Sequence, residues 1–420
     1  MGFKNDVIPV VFSTNDRYAP YCYLAVYSLL KYADPGCFYD IRVFMASLSR
    51  ENISLLEGLS NEYVSVTCMD VTSYVKDADL RGLSFFTVET FYRLFIGRIL
   101  PEYGRVLYLD SDMLILHDIA PLFRTDLKGH PIGAVHDVVC SYLAEHAKDL
   151  NLNMREMFNA GVLLIDTREY ARRNLMEIGL RALAEDYQNK RRKFIYVDQD
   201  VLNVTVGKDV EYLDDRWNFQ WEFLWRPDSI YAEYRERYER ASQDPWILHY
   251  AGDRKPWSYP WLPFADYFWD MAAEAGMTKR ILEASIRMER ENKDRLSCFR
   301  GFRFPYEQVK PGSRIAMYAA GNVGQDFAKQ LDNTLYARLV LWVDRQYAEK
   351  PKEMKIQPPK ALTLHRETFD CVIVAIDDEK IAHKVMENVK SLGVPEEKLI
   401  WQNYRRCDYE ETEAAQAVRE

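Results

Sequence analysis

The stretch Arg105-Val106-Leu107-Tyr108-Leu109-Asp110-Ser111-Asp112 decides how this chain is read. Val106 to Leu109 is a continuous apolar run that ends in two carboxylates. Such a run predicts a strand buried on both faces, as in a parallel sheet. Residues two apart in an extended chain point to the same side. Asp110 and Asp112 are therefore expected to present their oxygens together at the strand's carboxyl end, where open α/β sheets bind ligands. Paired carboxylates suit a hard divalent ion such as Mn²⁺ or Mg²⁺. The competing reading is local: one aspartate opens a turn and the other caps a helix.

Outward from that strand the pattern alternates. Upstream, Val7–Thr14 reads as a buried strand and Tyr21–Tyr32 as a helix stopped by Asp34-Pro35-Gly36. Strands follow at Ile41–Met45 and Val64–Met69, with helices at Asn52–Leu59 and Thr90–Leu100. Downstream, strands are expected at Ile132–Val135, Val162–Ile165 and Trp246–Tyr250, and helices at Leu175–Tyr187 and Gln199–Val206. The alternation predicts a doubly wound α/β domain over residues 1–270. Residues 271–310 read as a helical connector, with a charged helix over Met277–Leu296. A second α/β unit occupies 311–404, and 405–420 is an acidic tail.

The 420 residues are 48% hydrophobic, enough for sizeable cores, and carry a formal charge of −9, which disfavours nucleic-acid binding. The seven cysteines are scattered and form no C-x-x-C pair, so neither a disulfide framework nor a structural zinc site is expected. No signal pattern and no transmembrane-length apolar run is seen. The expectation is a cytoplasmic protein. The basic run Lys190-Arg191-Arg192-Lys193 is read as a solvated loop, with contact to the inner face of the membrane or to a phosphorylated acceptor as the sharper alternative.

Five further segments accompany the two aspartates: Ser13-Thr14-Asn15-Asp16-Arg17-Tyr18 and Tyr92-Arg93-Leu94 before them, then Phe158-Asn159-Ala160-Gly161-Val162 and Asp198-Gln199-Asp200-Val201-Leu202-Asn203. Last comes His249-Tyr250-Ala251-Gly252-Asp253-Arg254-Lys255-Pro256-Trp257. In this order, over residues 7 to about 270, they resemble glycosyltransferase family 8, which includes retaining lipopolysaccharide galactosyl- and glucosyltransferases. The resemblance implies an α/β fold of the GT-A-like, nucleotide-diphospho-sugar transferase type with a mixed sheet, followed here by a smaller Rossmann-like α/β domain. It implies a UDP-sugar donor, UDP-galactose or UDP-glucose, and a glycan acceptor. Asp110, Asp112 and His249 would bind Mn²⁺ or Mg²⁺. Gly252 would let backbone approach the diphosphate, and Lys255 would place a charge on it. Thr14, Asn15, Tyr18 and Ser111 fall among the donor-binding residues, with the Tyr18 ring stacking on uracil. Arg93 would pair with Asp112 or bind the donor sugar. Asp137 and Asn159 would contact sugar hydroxyls. Gln199 would lie near the anomeric carbon, and Asp200 is the alternative nucleophile. Each of these residues also has a plain structural reading as a turn, cap, core or surface group.

Two residues depart from the family. Asn15 stands where an aspartate usually reads the uracil imide, although an asparagine carbonyl also accepts that N–H. Arg17 replaces a small polar residue near the ribose. Glutamine is a poor nucleophile, so the resemblance implies same-face substitution, in which the departing phosphate helps deprotonate the acceptor. The aromatic stretch Trp257 to Phe264 is read as packing, with an acceptor platform as the alternative.

In the second unit, Ala319-Ala320-Gly321-Asn322-Val323-Gly324 follows a strand, and Asp344 lies 20 residues after Gly324. This resembles a dinucleotide fingerprint with alanine at its first glycine. Only one mononucleotide-sized half is present, so the favoured reading is an accessory domain for homo-oligomerisation or partner docking. The alternatives are a protein- or self-glucosylating transferase, an NAD(P)-binding oxidoreductase and an inactive nucleotide-sugar-binding protein.

Overall fold

The computed structural model describes residues 7–81, 87–137, 146–188, 193–221, 224, 230, 232–252, 254–291, 301–351, 354–404 and 406–407. The Lys190–Arg192 part of the basic run and the tail from Asp408 onward lie outside the described residues. The chain divides into two compact units, Met1–Ser258 with Pro263–Ile286, and Tyr259–Leu262 with Arg287–Glu420.

The strands of the first unit are β1 (Val7–Ser13), β2 (Phe38–Met45), β3 (Val64–Asp70), β4 (Arg105–Leu109), β5 (Met113–Ile115), β6 (Ile132–His136), β7 (Phe158–Asp166), β8 (Val210–Tyr212), β9 (Phe219–Gln220) and β10 (Ile247–His249). Among the described residues they form a seven-stranded sheet, β3-β2-β1-β4-β7-β6-β8, and a three-stranded one, β5-β10-β9. Burial follows position. Central β1 and β4 are buried along nearly their whole length, whereas β3, at the edge, buries Val64 and Val66 in alternation. A strand covered on both faces needs a continuous apolar run, and one with a free side does not.

The sheet is mixed. β4 runs parallel to β1 but antiparallel to β7, so the fully parallel surroundings expected for the Asp110 strand hold on one side alone. The Ala19–Tyr32 helix opens with Pro20, whose fixed φ suits a first turn. Its Ala25, Val26 and Leu29 pack on Ile8, Val10 and Phe12 of β1. The helix expected over Thr90–Leu100 is instead a 3-10 segment, Val88–Phe95, followed by a single α-turn, Ile96–Ile99. Apolar spacing alone does not distinguish these two windings.

The second unit contains β11 (Gly301–Phe302), β12 (Arg314–Tyr318), β13 (Arg338–Val343), β14 (Cys371–Val374), β15 (Leu399–Ile400) and β16 (Arg406–Cys407). β13-β12-β14-β15 is a parallel sheet. β12 sends Ala316 and Tyr318 into one core and Ile315 and Met317 into the other. Helix Glu379–Ser391 covers the first face through Ala382, Val385 and Val389. Helix Asn322–Thr334 covers the second through Val323, Phe327 and Leu331. Period-two alternation between two apolar faces is what a sheet with helices on both sides requires.

The glycine turn of this unit is tightly braced. A Cβ on Gly324 would meet the Ala319 carbonyl oxygen at 2.2 Å, so helix and strand approach this closely only with glycine there. Ala319 itself sits at φ 85°. Asp344 accepts the N–H groups of Ala320 and Gln346, both at 2.7 Å. The acid expected to contact a ribose is therefore bonded to its own backbone.

Candidate active site

β1 and β4 lie side by side and end together, which brings the segments after them into contact. Ser111 Oγ donates to the Ser13 carbonyl at 2.8 Å and ties the two ends. The chain passes from Asp112 directly into β5, which pairs with β10 so that Met113 faces His249. This pairing explains how a histidine far along the sequence reaches the aspartates. His249 Nε2 stands 3.4 Å from Asp112 and 3.8 Å from Asp110.

Ligand atoms from Asp110, Asp112 and His249 all lie within 4.8 Å of one another. His249 Nδ1 donates to Asn218 Oδ1 at 2.8 Å. In a neutral imidazole that bond leaves the Nε2 lone pair facing the carboxylates, the tautomer a metal requires. The donor set of two carboxylates and one imidazole fits Mn²⁺ or Mg²⁺.

Behind the triad runs a line of amides. Asn218 donates to Asn159 Oδ1 at 2.8 Å, Asn159 Nδ2 donates to Gln199 Oε1 at 3.1 Å, and Gln199 Nε2 donates to Asp137 Oδ2 at 2.9 Å. Gly161 makes this line possible. A Cβ there would meet the His249 ring carbon at 2.4 Å. Gly161→Ala therefore displaces His249, and metal affinity should fall about 10- to 100-fold, as for lost supporting contacts at other metal sites. Titration with Mn²⁺ followed by paramagnetic resonance measures this; unchanged affinity would place the metal elsewhere.

Arg93 is 5% exposed and lies under the site. It donates to Asp110 Oδ1 at 2.8 Å and to the Ala160 carbonyl at 2.5 Å, and pairs with Asp198 at 2.9 Å. Its guanidinium carbon is 4.3 Å from the Tyr108 ring centroid. The expected pairing with Asp112 is thus replaced by one with Asp110, because the guanidinium lies between the Tyr108 ring of β4 and the Ala160 carbonyl of β7, on the Asp110 side. Burial alone would favour neutral guanidinium, but Asp110 and Asp198 outweigh it and hold the charge. Burial pushes the Asp198 carboxyl up to about 6 against the pull of Arg93.

Asp112 is instead the partner of Lys255, whose ammonium donates to Asp112 Oδ2 and, at 2.7 Å, to the Tyr250 carbonyl. Despite burial, Lys255 and His249 hold the Asp112 carboxyl well below the usual range. Gly252 adopts φ 81°, a left-handed conformation that glycine takes without strain.

One cavity of about 430 Å³ is lined by Thr14, Asn15, Tyr18, Arg93, Asp110, Ser111, Asp112, Asp137, Asn159, Gln199, His249, Gly252 and Lys255. Asp200 does not line it. Successive helical residues are turned about 100° from each other, and Gln199 takes the direction facing the cavity. Asp200 is fully buried, with one oxygen on His146 Nε2 and the other on the Tyr196 N–H, both at 2.8 Å. The nucleophile alternative for Asp200 has no line to the cavity. Asn15 also differs from expectation. Its carbonyl accepts the backbone N–H groups of Arg17 and Tyr18 at 3.1 and 3.2 Å.

Sequence reasoning missed Asn218, which bridges two motifs, and Glu89, which lines the cavity. Asn218 lies between Trp217 and Phe219 with no spacing that marks it. Glu89 reads from sequence as an ordinary acid in a first turn.

The family model "Glycosyl transferase family 8" matches residues 9–260. General stress protein A of Bacillus subtilis is 25% identical over 61% of this chain and 89% of its own length. Lipopolysaccharide 1,2-glucosyltransferase of Escherichia coli is 28% identical over 55% of this chain and 68% of its own. Among solved structures, the galactosyltransferase LgtC with donor and acceptor sugar analogues superposes with a TM-score of 0.53 at 24% identity, over 64% of this chain and 96% of that one. The bifunctional WbbM transferase gives 0.57 at 24% identity, over 68% and 52%. The chain thus spans about half the length of WbbM. These likenesses establish a GT-A-like fold.

Proposed function

The chain belongs to glycosyl transferase family 8, and from that membership we propose that it is a metal-dependent, retaining hexosyltransferase. It would move galactose or glucose from UDP to a glycan acceptor, a lipopolysaccharide or another surface polysaccharide. The observation that carries this reading is the unbroken amide line from His249 to Gln199 and Asp137. It couples a metal-ligand triad to the polar groups of the same cavity.

A divalent ion held by Asp110, Asp112 and His249 would supply a Lewis acid for the charge that develops on a departing diphosphate. The chain's own groups then divide the remaining work. Lys255 brings a second positive charge, and the backbone at Gly252 permits close approach to phosphate oxygens. Asp137 and Asn159 accept from and donate to sugar hydroxyls. Gln199, neutral and fixed by Asn159 and Asp137, stabilises the electron-poor anomeric carbon without bonding to it. The bond from that carbon to the diphosphate breaks, and the acceptor oxygen bonds on the same face. The acceptor proton leaves with the diphosphate.

The test is release of UDP from a panel of UDP-sugars, with and without Mn²⁺. Release from one hexose donor, abolished by chelator and restored by Mn²⁺, is expected. Release that ignores the chelator, or no binding of any UDP-sugar, overturns the reading.

A further inference from the structure

Glu89 is the second residue of the 3-10 segment Val88–Phe95, and it lines the cavity near Thr14, Asn15 and Tyr18. An acid in a first turn has an ordinary reason to be there, since free N–H groups favour negative charge. That reason does not direct its side chain toward another segment. Here the carboxylate meets Asn15, whose Nδ2 donates to Glu89 Oε2 at 3.3 Å.

The orientation of Asn15 is set locally. Its Oδ1 accepts two backbone N–H groups in an Asx turn. The carboxamide therefore presents its NH₂, a donor with two hydrogens, one of which goes to Glu89. A carboxylate only accepts and has room for further donors. Tyr18 stands beside the pair. Tyr21 and Trp257 pack edge-on against its ring, at centroid distances of 5.6 and 6.2 Å. A flat heterocycle on Tyr18 would thus meet one donor and one acceptor side by side.

We infer that Glu89 reads the base of the nucleotide donor, accepting a ring N–H while Asn15 donates to the adjoining carbonyl. This inference rests on the nucleotide-sugar reading of the cavity and names the residue that sets its base specificity. Uracil and guanine carry a carbonyl beside a ring N–H. Cytosine and adenine carry the reverse, an amino donor beside an unprotonated ring nitrogen, and would set that nitrogen against the carboxylate. A site built around hydrogen bonds rejects a ligand that leaves them unmade far more strongly than an apolar pocket rejects a size change.

Calorimetric titration of the full chain with UDP, CDP and GDP in the presence of Mn²⁺ tests this, using wild type, Glu89→Gln and Glu89→Ala. Glutamine preserves shape and removes the charge. Wild type should bind UDP or GDP well above CDP. Both variants should lose about 10- to 100-fold in affinity for the favoured nucleotide, the range for a hydrogen bond to a charged group. Glu89→Gln should also narrow the margin over CDP, because its amide donates to the cytosine ring nitrogen. A preference for GDP would support the edge recognition while overturning uridine as the base. Variants that bind UDP as wild type does, with unchanged discrimination, overturn the role of Glu89 and leave the transferase reading standing. A wild type that binds no nucleoside diphosphate overturns both.

Discussion

Asp112→Asn should abolish metal-dependent UDP release, lowering kcat/KM by about 10³-fold or more. In the proposed reaction, neutralising the departing diphosphate would supply several kcal/mol, and each 1.4 kcal/mol or so is a decade in rate. Asparagine keeps an oxygen in place but removes the charge that both the ion and Lys255 require. The second requirement adds an effect that pure ligand loss would not produce. Lys255 is buried, and its ammonium loses the carboxylate it pairs with, keeping neutral acceptors such as the Tyr250 carbonyl and the weaker pull of Asp110. An uncompensated buried charge costs about 3–5 kcal/mol, so the metal-free variant should unfold at markedly lower urea concentration than wild type. The double variant Asp112→Asn with Lys255→Met separates the two effects. It should regain much of the stability and none of the activity. A single variant that keeps its rate within tenfold would remove Asp112 from the ligand set. A double variant no more stable than the single one would show that the Lys255 pair is not what the fold depends on.

The first unit was largely legible because burial writes itself into composition. β1 and β4 are apolar throughout and were placed to within a residue or two. The same signal is silent about neighbours. A strand buried on both faces looks alike whether the next strand runs with it or against it, so the apolar run alone does not reveal the antiparallel β4–β7 pair, and the mixed sheet follows from the family resemblance instead. Motifs with several marked residues at fixed spacing come together in the fold. All the donor-side and metal-side candidates line one cavity, with Asp200 alone turned away.

What escaped were pairings. Asp110 and Asp112 carry identical side chains two residues apart, and only the approach of the 3-10 segment on one side and of Lys255 on the other assigns Arg93 to the first and the lysine to the second. Asn218 and Glu89 are common residue types in unremarkable settings. Their importance arises from what β5–β10 pairing and the Val88–Phe95 segment bring near them, which is long-range information. Gly161 shows the middle case. Its presence in a motif was readable, but its reason, the ring of His249 lying where a Cβ would be, is purely three-dimensional.

Arg93→Met should lower stability by about 3–5 kcal/mol near neutral pH and cost most of the activity. The substitution keeps an unbranched apolar stem of similar reach and removes the one cation that serves Asp110, Asp198 and the Ala160 carbonyl at once. Breaking a buried pair from one side leaves the other charge desolvated, which accounts for the magnitude. Activity falls because Asp110 loses its charged partner and is held by the Tyr108 hydroxyl without it. The loss of stability should depend on pH in a definite direction. Asp198 has its carboxyl raised to about 6 by burial, with Arg93 pulling it down. Without Arg93 it must rise further. A carboxyl whose folded value lies above its unfolded one binds its proton more tightly in the fold. The stabilisation from that proton is complete at acid pH and fades as pH climbs through the folded value. In wild type the fading is nearly over soon above pH 6, whereas in the variant it continues to higher pH. The gap between the two proteins should therefore widen from pH 5 to pH 8 in urea unfolding, and adding Asp198→Asn to the variant should flatten it. A gap that stays constant or narrows would show that Asp198 is not the group Arg93 restrains. Arg93→Lys should rescue little, because a single ammonium does not reproduce a planar fork that reaches two carboxylates and a carbonyl together.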